Sequence, residues 1–301
     1  MTRGSETNRS ILVSLGANVA IAVVKLVGAL VTGSGSMLAE ALHSIADSGN
    51  EGLLLWGRRQ AKHGPSAIHP LGEGRATYFW SFIVALLLFS MGGVASIYEG
   101  IRKLSVHEPV QSAWLAIAIL VFAAIAEGIS LYVALKQINR ARGDLSLWRW
   151  FRSARHSELI IVFGENAAAL AGLGVALVAI VLTILTGDPV YDAVGSIVIG
   201  VLLVVVALAI GAETKSLLIG ESAAPQVRKG IEAFVASWPG VAAVRELITL
   251  QHGEDVFVAA RAQMEGSASL AEFDASLAAC KAGLKAAFPE VRWIFFEPGG
   301  K

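Results

Sequence analysis

Ser36-Met37-Leu38-Ala39-Glu40-Ala41-Leu42-His43-Ser44-Ile45-Ala46-Asp47-Ser48-Gly49-Asn50 is the stretch on which the reading of this chain turns. It lies between apolar runs long enough to cross a bilayer, yet it holds an imidazole and two carboxylates. An ionisable group at membrane depth costs roughly 2.5–3.5 kcal/mol on insertion scales, so a chain keeps one where it pairs, lines a wet cavity or binds an ion. His43 and Asp47 are four residues apart, which puts both on one helix face. Imidazole plus carboxylate is a donor set suited to Zn²⁺ and similar divalent ions, and both groups also carry protons. Glu51 follows one turn beyond Asp47, so the polar face extends toward the end of the segment.

The rest of the composition agrees with a membrane setting. Of 301 residues, 55% are hydrophobic and only 16% charged, too apolar for an ordinary soluble protein. The formal net charge is zero, so no bulk basic surface points to nucleic acid. The single cysteine, Cys280, excludes an internal disulfide and a thiolate metal cluster and reads as a small buried residue. No Walker A sequence and no Gly-rich strand-to-helix loop is present, so neither a nucleotide nor another cofactor is expected, and the chain is not read as an enzyme.

Six apolar segments approach the roughly 20 residues of a span: 11–31, 37–56, 78–101, 113–135, 159–186 and 190–212. Lys and Arg fall on alternate connections. Twelve lie on the side of the N-terminus, the second-to-third loop and the fourth-to-fifth loop, against Arg102 and Lys103 on the other. That asymmetry places both termini in the cytoplasm. The polar Met1–Ser10 lacks the h-region of a signal peptide, so the first span is expected to persist. A bacterial inner (plasma) membrane is the simplest location.

After residue 212 the composition becomes charged and balanced. Ala224–Trp238 and Leu270–Phe288 read as helices. Val241–Gln251, Val256–Met264 and Val291–Phe296 read as strands, the first two joined by the turn His252-Gly253-Glu254-Asp255. The expectation is three regions: a short N-terminus (1–10), a six-helix transmembrane domain (11–212) and a small cytoplasmic α+β domain (213–301) of αββαβ, ferredoxin-like order.

Glu165 and Asn166, in the fifth segment, fall at a depth similar to His43 and Asp47 in the second, reckoned at ~1.5 Å per residue. Two helices can thus present His43, Asp47 and Glu165 to one ion, with Asn166 as a neutral ligand or an outer partner. Glu127 in the fourth segment needs a partner or a cavity. Lys25 in the first reads as a snorkelling or paired cation, with Glu127 one candidate partner. Glu40 reads as a cation attractor at the outer mouth or a solvated carboxylate. In the second-to-third loop, His69 and Glu73 are spaced as a secondary metal contact. Glycines within the spans read as sites of close helix packing.

Ala39-Glu40-Ala41-Leu42-His43-Ser44-Ile45-Ala46-Asp47, the loop His69-Pro70-Leu71-Gly72-Glu73-Gly74-Arg75 with Tyr78-Phe79-Trp80, the six segments and the αββαβ tail together resemble the cation diffusion facilitators. Ile97-Tyr98-Glu99-Gly100-Ile101 and the run from Glu213 to Glu221 are similar to the branch that includes zinc transporter nine. The resemblance implies a homodimer in the lipid bilayer that exchanges a divalent cation for protons, exporting metal from the cytosol. It implies transport ligands from spans two and five, here His43 and Asp47 with Glu165 and Asn166. The family's usual His-x-x-x-Asp of span five reads Val162 and Asn166 in this chain. Position 51, typically Gln in that branch, is Glu51, which suggests a carboxylate moved from span five to span two. Zn²⁺ is the expected cargo, with Mn²⁺ or Fe²⁺ as the alternative raised by the altered span-five pair. A metal-sensing or scaffold protein without flux and a carrier for a small organic cation are the competing classes.

Overall fold

The computed structural model describes residues 3–106, 109–143, 146, 147, 149, 157–265 and 270–299. Six long helices come first: α1 (Arg3–Thr32), α2 (Gly35–Ala61), α3 (Ala76–Val106), α4 (Ala113–Ala141), α5 (Ser157–Thr186) and α6 (Val190–Ile219). They correspond in order to the six apolar segments, but most run well past them. Among the described residues four, α3 to α6, are long and apolar enough to cross a membrane, where the sequence pattern predicts six spans. In α1 the described apolar stretch is the shorter Asn18–Thr32. In α2 a polar face carries Glu40, Asp47 and Glu51, followed by Arg58 and Arg59.

Contacts divide the chain into two units. One holds Met1–Arg58, Phe79–Leu145 and Glu158–Thr214; the other joins Arg59–Tyr78 to Lys215–Lys301. The helical unit is built on small residues at helix crossings. A Cβ on Gly200 would stand 2.7 Å from the Gly93 carbonyl oxygen, and one on Gly100 2.7 Å from that of Ala193. The α3 and α6 backbones therefore touch, which is how helices associate where lipid offers no hydrophobic gradient. Leu88 to Val94 of α3 winds as a π-helix, and Gly92 and Gly93 lie within it against α6. Leu120, Ile161, Leu173, Ile180, Ile199 and Leu203 fill the interior, while Val23, Val27 and Leu30 of α1 point outward, apolar as a lipid-facing surface requires.

The start of α2 is fixed by a residue far away in sequence. Asp192, on the first turn of α6, is buried and accepts hydrogen bonds from the Gly35 N–H (2.6 Å), the Ser36 N–H (3.1 Å) and the Ser34 hydroxyl (2.6 Å). It thus satisfies helix-start N–H groups that have no partner within α2, and its charge suits that end of the helix dipole. Lys103 of α3 pairs with the same carboxylate at 3.3 Å and donates to the Gly33 carbonyl. Sequence reading places Lys103 in the loop after the third apolar segment. The structure buries it, because α3 continues to Val106.

The second unit adds α7 (Pro225–Ala236), β1 (Val241–His252), β2 (Asp255–Met264), α8 (Leu270–Ala287) and β3 (Val291–Gly299). The sheet order is β1-β2-β3, antiparallel then parallel. Val256, Val258, Ala260 and Ala262 alternate inward along β2. Ile231 and Val235 of α7 and Leu284 of α8 join that core, so both helices cover one face. On the other face Ile248 and Phe295 are more than half exposed. The αββαβ order is the one expected from the sequence, with element ends shifted by a few residues.

Candidate metal centre

Helical spacing brings Glu40, Ser44, Asp47 and Glu51 onto one face of α2. His43 is fully buried, with Nε2 3.4 Å from Asp47 Oδ2. Neither imidazole nitrogen makes a hydrogen bond, nor does Asp47 Oδ1. Buried polar atoms are ordinarily satisfied, so these unfilled positions suit a bound cation or proton. The backbone of Glu165, on α5, lies beside the His43 ring. The Glu165 carboxylate is buried and accepts a hydrogen bond from Asn50 Nδ2 at 2.7 Å. Glu51 accepts one from Asn18 Nδ2 of α1 at 2.8 Å.

These groups surround one cavity of about 60 Å³, large enough for several water-sized species. Ser44, Asp47 and Glu51 of α2, Glu127 of α4, and Glu165 and Asn166 of α5 form its polar wall. His43 backs that wall through its contact with Asp47. The structure therefore brings together His43, Asp47, Glu51, Glu127, Glu165 and Asn166, all singled out by sequence. Asn166 also donates from Nδ2 to the Val162 carbonyl at 2.6 Å, one turn back on its own helix. Among the described residues no three His, Cys, Asp or Glu side chains reach coordinating spacing.

Lys25 has a partner other than the one suggested by sequence. It pairs with Glu40 at 3.2 Å, not with Glu127, and donates to the Ser44 hydroxyl at 2.7 Å. Glu40 is fully buried, so its reading as a solvated carboxylate at the outer mouth is corrected. The cause is the cation: α1 offers Lys25 at the same depth, and two buried charges tolerate burial only as a pair.

The loop expectation also changes. Segment 63–75 is not helical, so the four-residue spacing of His69 and Glu73 does not put them on one face. Glu73 instead faces His63 at 3.5 Å and accepts from Gln60 Nε2 at 2.9 Å. The Gln60 bond, with the nearby His63 and His69 charges, holds its carboxyl below the usual range. This loop packs on the β1–β2 turn: Tyr78 donates to the Gly253 carbonyl at 3.0 Å, and Gly74 has no room for a Cβ against His252. Gly253 takes φ +65°, which supplies the turn.

His252 is buried there, edge-on to Trp293 at 5.6 Å. Burial depresses its pKa below the ordinary imidazole value, and the Arg75 charge adds to this, against the Gly72 backbone and Asp255. The unfolded chain thus takes up a proton near pH ~6.5 that the folded turn refuses. Stability falls as pH drops through that value. The thermal midpoint of the full chain in detergent is expected to fall from pH 7 to pH 5, and to fall less in His252→Gln. Equal pH slopes in the two proteins would refute this assignment.

A family model of the cation efflux transmembrane domain matches residues 11–219. The chain is 36% identical over 226 residues to the mitochondrial proton-coupled zinc antiporter SLC30A9 of Xenopus laevis, covering 74% of this chain and 40% of that one. Against its Homo sapiens counterpart the identity is 33% over 227 residues, with the same coverage. Metal tolerance protein C4 of Arabidopsis thaliana is 32% identical over 188 residues, 62% of this chain and 41% of that one. The chain spans about 40% of the length of the curated relatives it matches.

Proposed function

The chain belongs to the cation efflux family, and from that premise we propose that it is a secondary transporter exchanging a divalent metal, Zn²⁺ foremost, for protons. The observation that carries this reading is the cavity between α2, α4 and α5, where Asp47, Glu51, Glu127 and Glu165 meet beside an unsatisfied His43. The chemistry follows from the donors. Imidazole and carboxylate bind metal only when deprotonated, so metal entry releases protons and protonation expels metal. His43 is suited to this competition because the same imidazole nitrogen binds either a metal or a proton. The relatives named as proton-coupled zinc antiporters support the same cargo and exchange.

In this reading six helices span the bilayer, α1 and α2 included. The polar face of α2 is sheltered by α1, α4 and α5 around the cavity. His43, Asp47 and Glu165 are the metal ligands, and Asn166 supplies a neutral oxygen. Glu51 stands in for the carboxylate absent at position 166, which the shared cavity supports. The chain works as a homodimer; the uncovered apolar sheet face with Ile248 and Phe295 suits a second copy. The location expected from sequence is corrected: the SLC30A9 relatives are mitochondrial, which points to a mitochondrial membrane rather than a bacterial plasma membrane.

Flux of Zn²⁺, Mn²⁺, Fe²⁺, Co²⁺ and Cd²⁺ in proteoliposomes, with Glu51→Gln and Glu165→Gln, tests the ligand set. Both variants are expected to lose most Zn²⁺ flux. Full flux in Glu51→Gln beside none in Glu165→Gln would remove Glu51 from the site. A preference for Mn²⁺ or Fe²⁺ in the wild type would overturn Zn²⁺ as the cargo.

A further inference from the structure

We propose that Lys25 sets the affinity of the transport site, a fixed positive charge beside the cavity that holds metal binding weak enough for release. The inference rests on the transport reading above. Lys25 is fully buried and is the only charged residue in the apolar stretch Asn18–Thr32. Its ammonium makes two described contacts. One is the Glu40 carboxylate at 3.2 Å; the other is the Ser44 hydroxyl at 2.7 Å. Ser44 belongs to the cavity wall, and Glu40 does not. The ammonium is therefore one hydrogen bond away from the cavity wall.

The consequence is electrostatic. Four carboxylates, Asp47, Glu51, Glu127 and Glu165, converge on a cavity of about 60 Å³. Together they would hold a dication tightly, and a carrier must bind well enough to load yet weakly enough to unload. A resident ammonium repels the dication and offsets the mutual repulsion of the carboxylates in the empty site. Glu40 and Ser44 hold it in place. Replacing it with a neutral side chain should tighten metal binding and slow release.

The test uses the purified full chain, with Zn²⁺ as the probe. Equilibrium Zn²⁺ affinity and the KM and turnover of flux are compared in wild type, Lys25→Met, Lys25→Arg and Lys25→Met/Glu40→Gln. The double variant leaves no orphaned buried charge, so it separates the charge effect from misfolding. Lys25→Met is expected to bind Zn²⁺ roughly tenfold tighter, the scale of one charge acting on a dication across a partly buried site, and the double variant, which also loses the opposing Glu40 charge, tighter than wild type by a smaller factor. Their KM and turnover should fall together, and Lys25→Arg should restore wild-type affinity. Wild-type affinity in the double variant would overturn the inference. Tighter binding in a protein whose wild type shows no flux would support the role of Lys25 and sink the transport reading instead.

Discussion

Asp47→Ala is expected to reduce Zn²⁺ flux to the background of protein-free vesicles, and His43→Ala to do the same. Asp47 is the carboxylate closest to His43, at 3.4 Å, and it lines the cavity that α5 closes with Glu165. Removing it takes away, in the proposed function, a charged ligand, and with it the only ion-pair partner described for the imidazole. A graded series checks the assignment. Asn50 holds Glu165 through a 2.7 Å hydrogen bond without lining the cavity, so Asn50→Ala should cost about 10–100-fold, as outer-shell partners of metal ligands do. Flux and equilibrium Zn²⁺ binding, measured on protein of matched folded fraction, decide the point. Wild-type flux in Asp47→Ala would remove the α2 site from the transport path.

Asp192→Ala is expected to be the most destabilising single change outside the site, by about 3–5 kcal/mol, because it strands the buried Lys103. The same carboxylate holds the first N–H groups of α2, so the helix that carries His43 and Asp47 would lose its anchor. Thermal unfolding in detergent should show a large drop in the midpoint. Replacing both charges, Asp192→Leu with Lys103→Met, should recover part of it, since no unpaired charge then remains. A midpoint for Asp192→Ala within the range of ordinary surface substitutions would show that the cluster is not structural.

The helices and the αββαβ tail were legible because both depend on local patterns. Apolar runs of span length and the two-residue alternation from Val256 to Ala262 need no knowledge of distant partners. The grouping of His43, Asp47, Glu127 and Glu165 around one cavity was legible for a related reason: ionisable residues within apolar segments are costly, so each of them stands out. What escaped is pairing across the sequence. Nothing local tells that Lys25 meets Glu40 rather than Glu127, or that Asp192 caps a helix 157 positions away. Ser34 and Ser36, with an acidic residue soon after Pro189, were the available hints. Asn18 was hidden because one amide in an apolar run looks like ordinary helix packing until Glu51 is seen beside it. The loop spacing of His69 and Glu73 misled because it assumes a helix, and Gly64-Pro65 and Pro70-Leu71-Gly72 do not continue one.

The most direct test of metal–proton exchange through the α2–α5 cavity is to follow both ions at once. Proteoliposomes carrying the full chain and a trapped pH indicator receive a pulse of Zn²⁺, with wild type and Asp47→Ala compared. The account predicts Zn²⁺ entry accompanied by proton exit, accelerated by an outward proton gradient and lost for both ions in the variant. Zn²⁺ entry that ignores the gradient and moves no protons would contradict it.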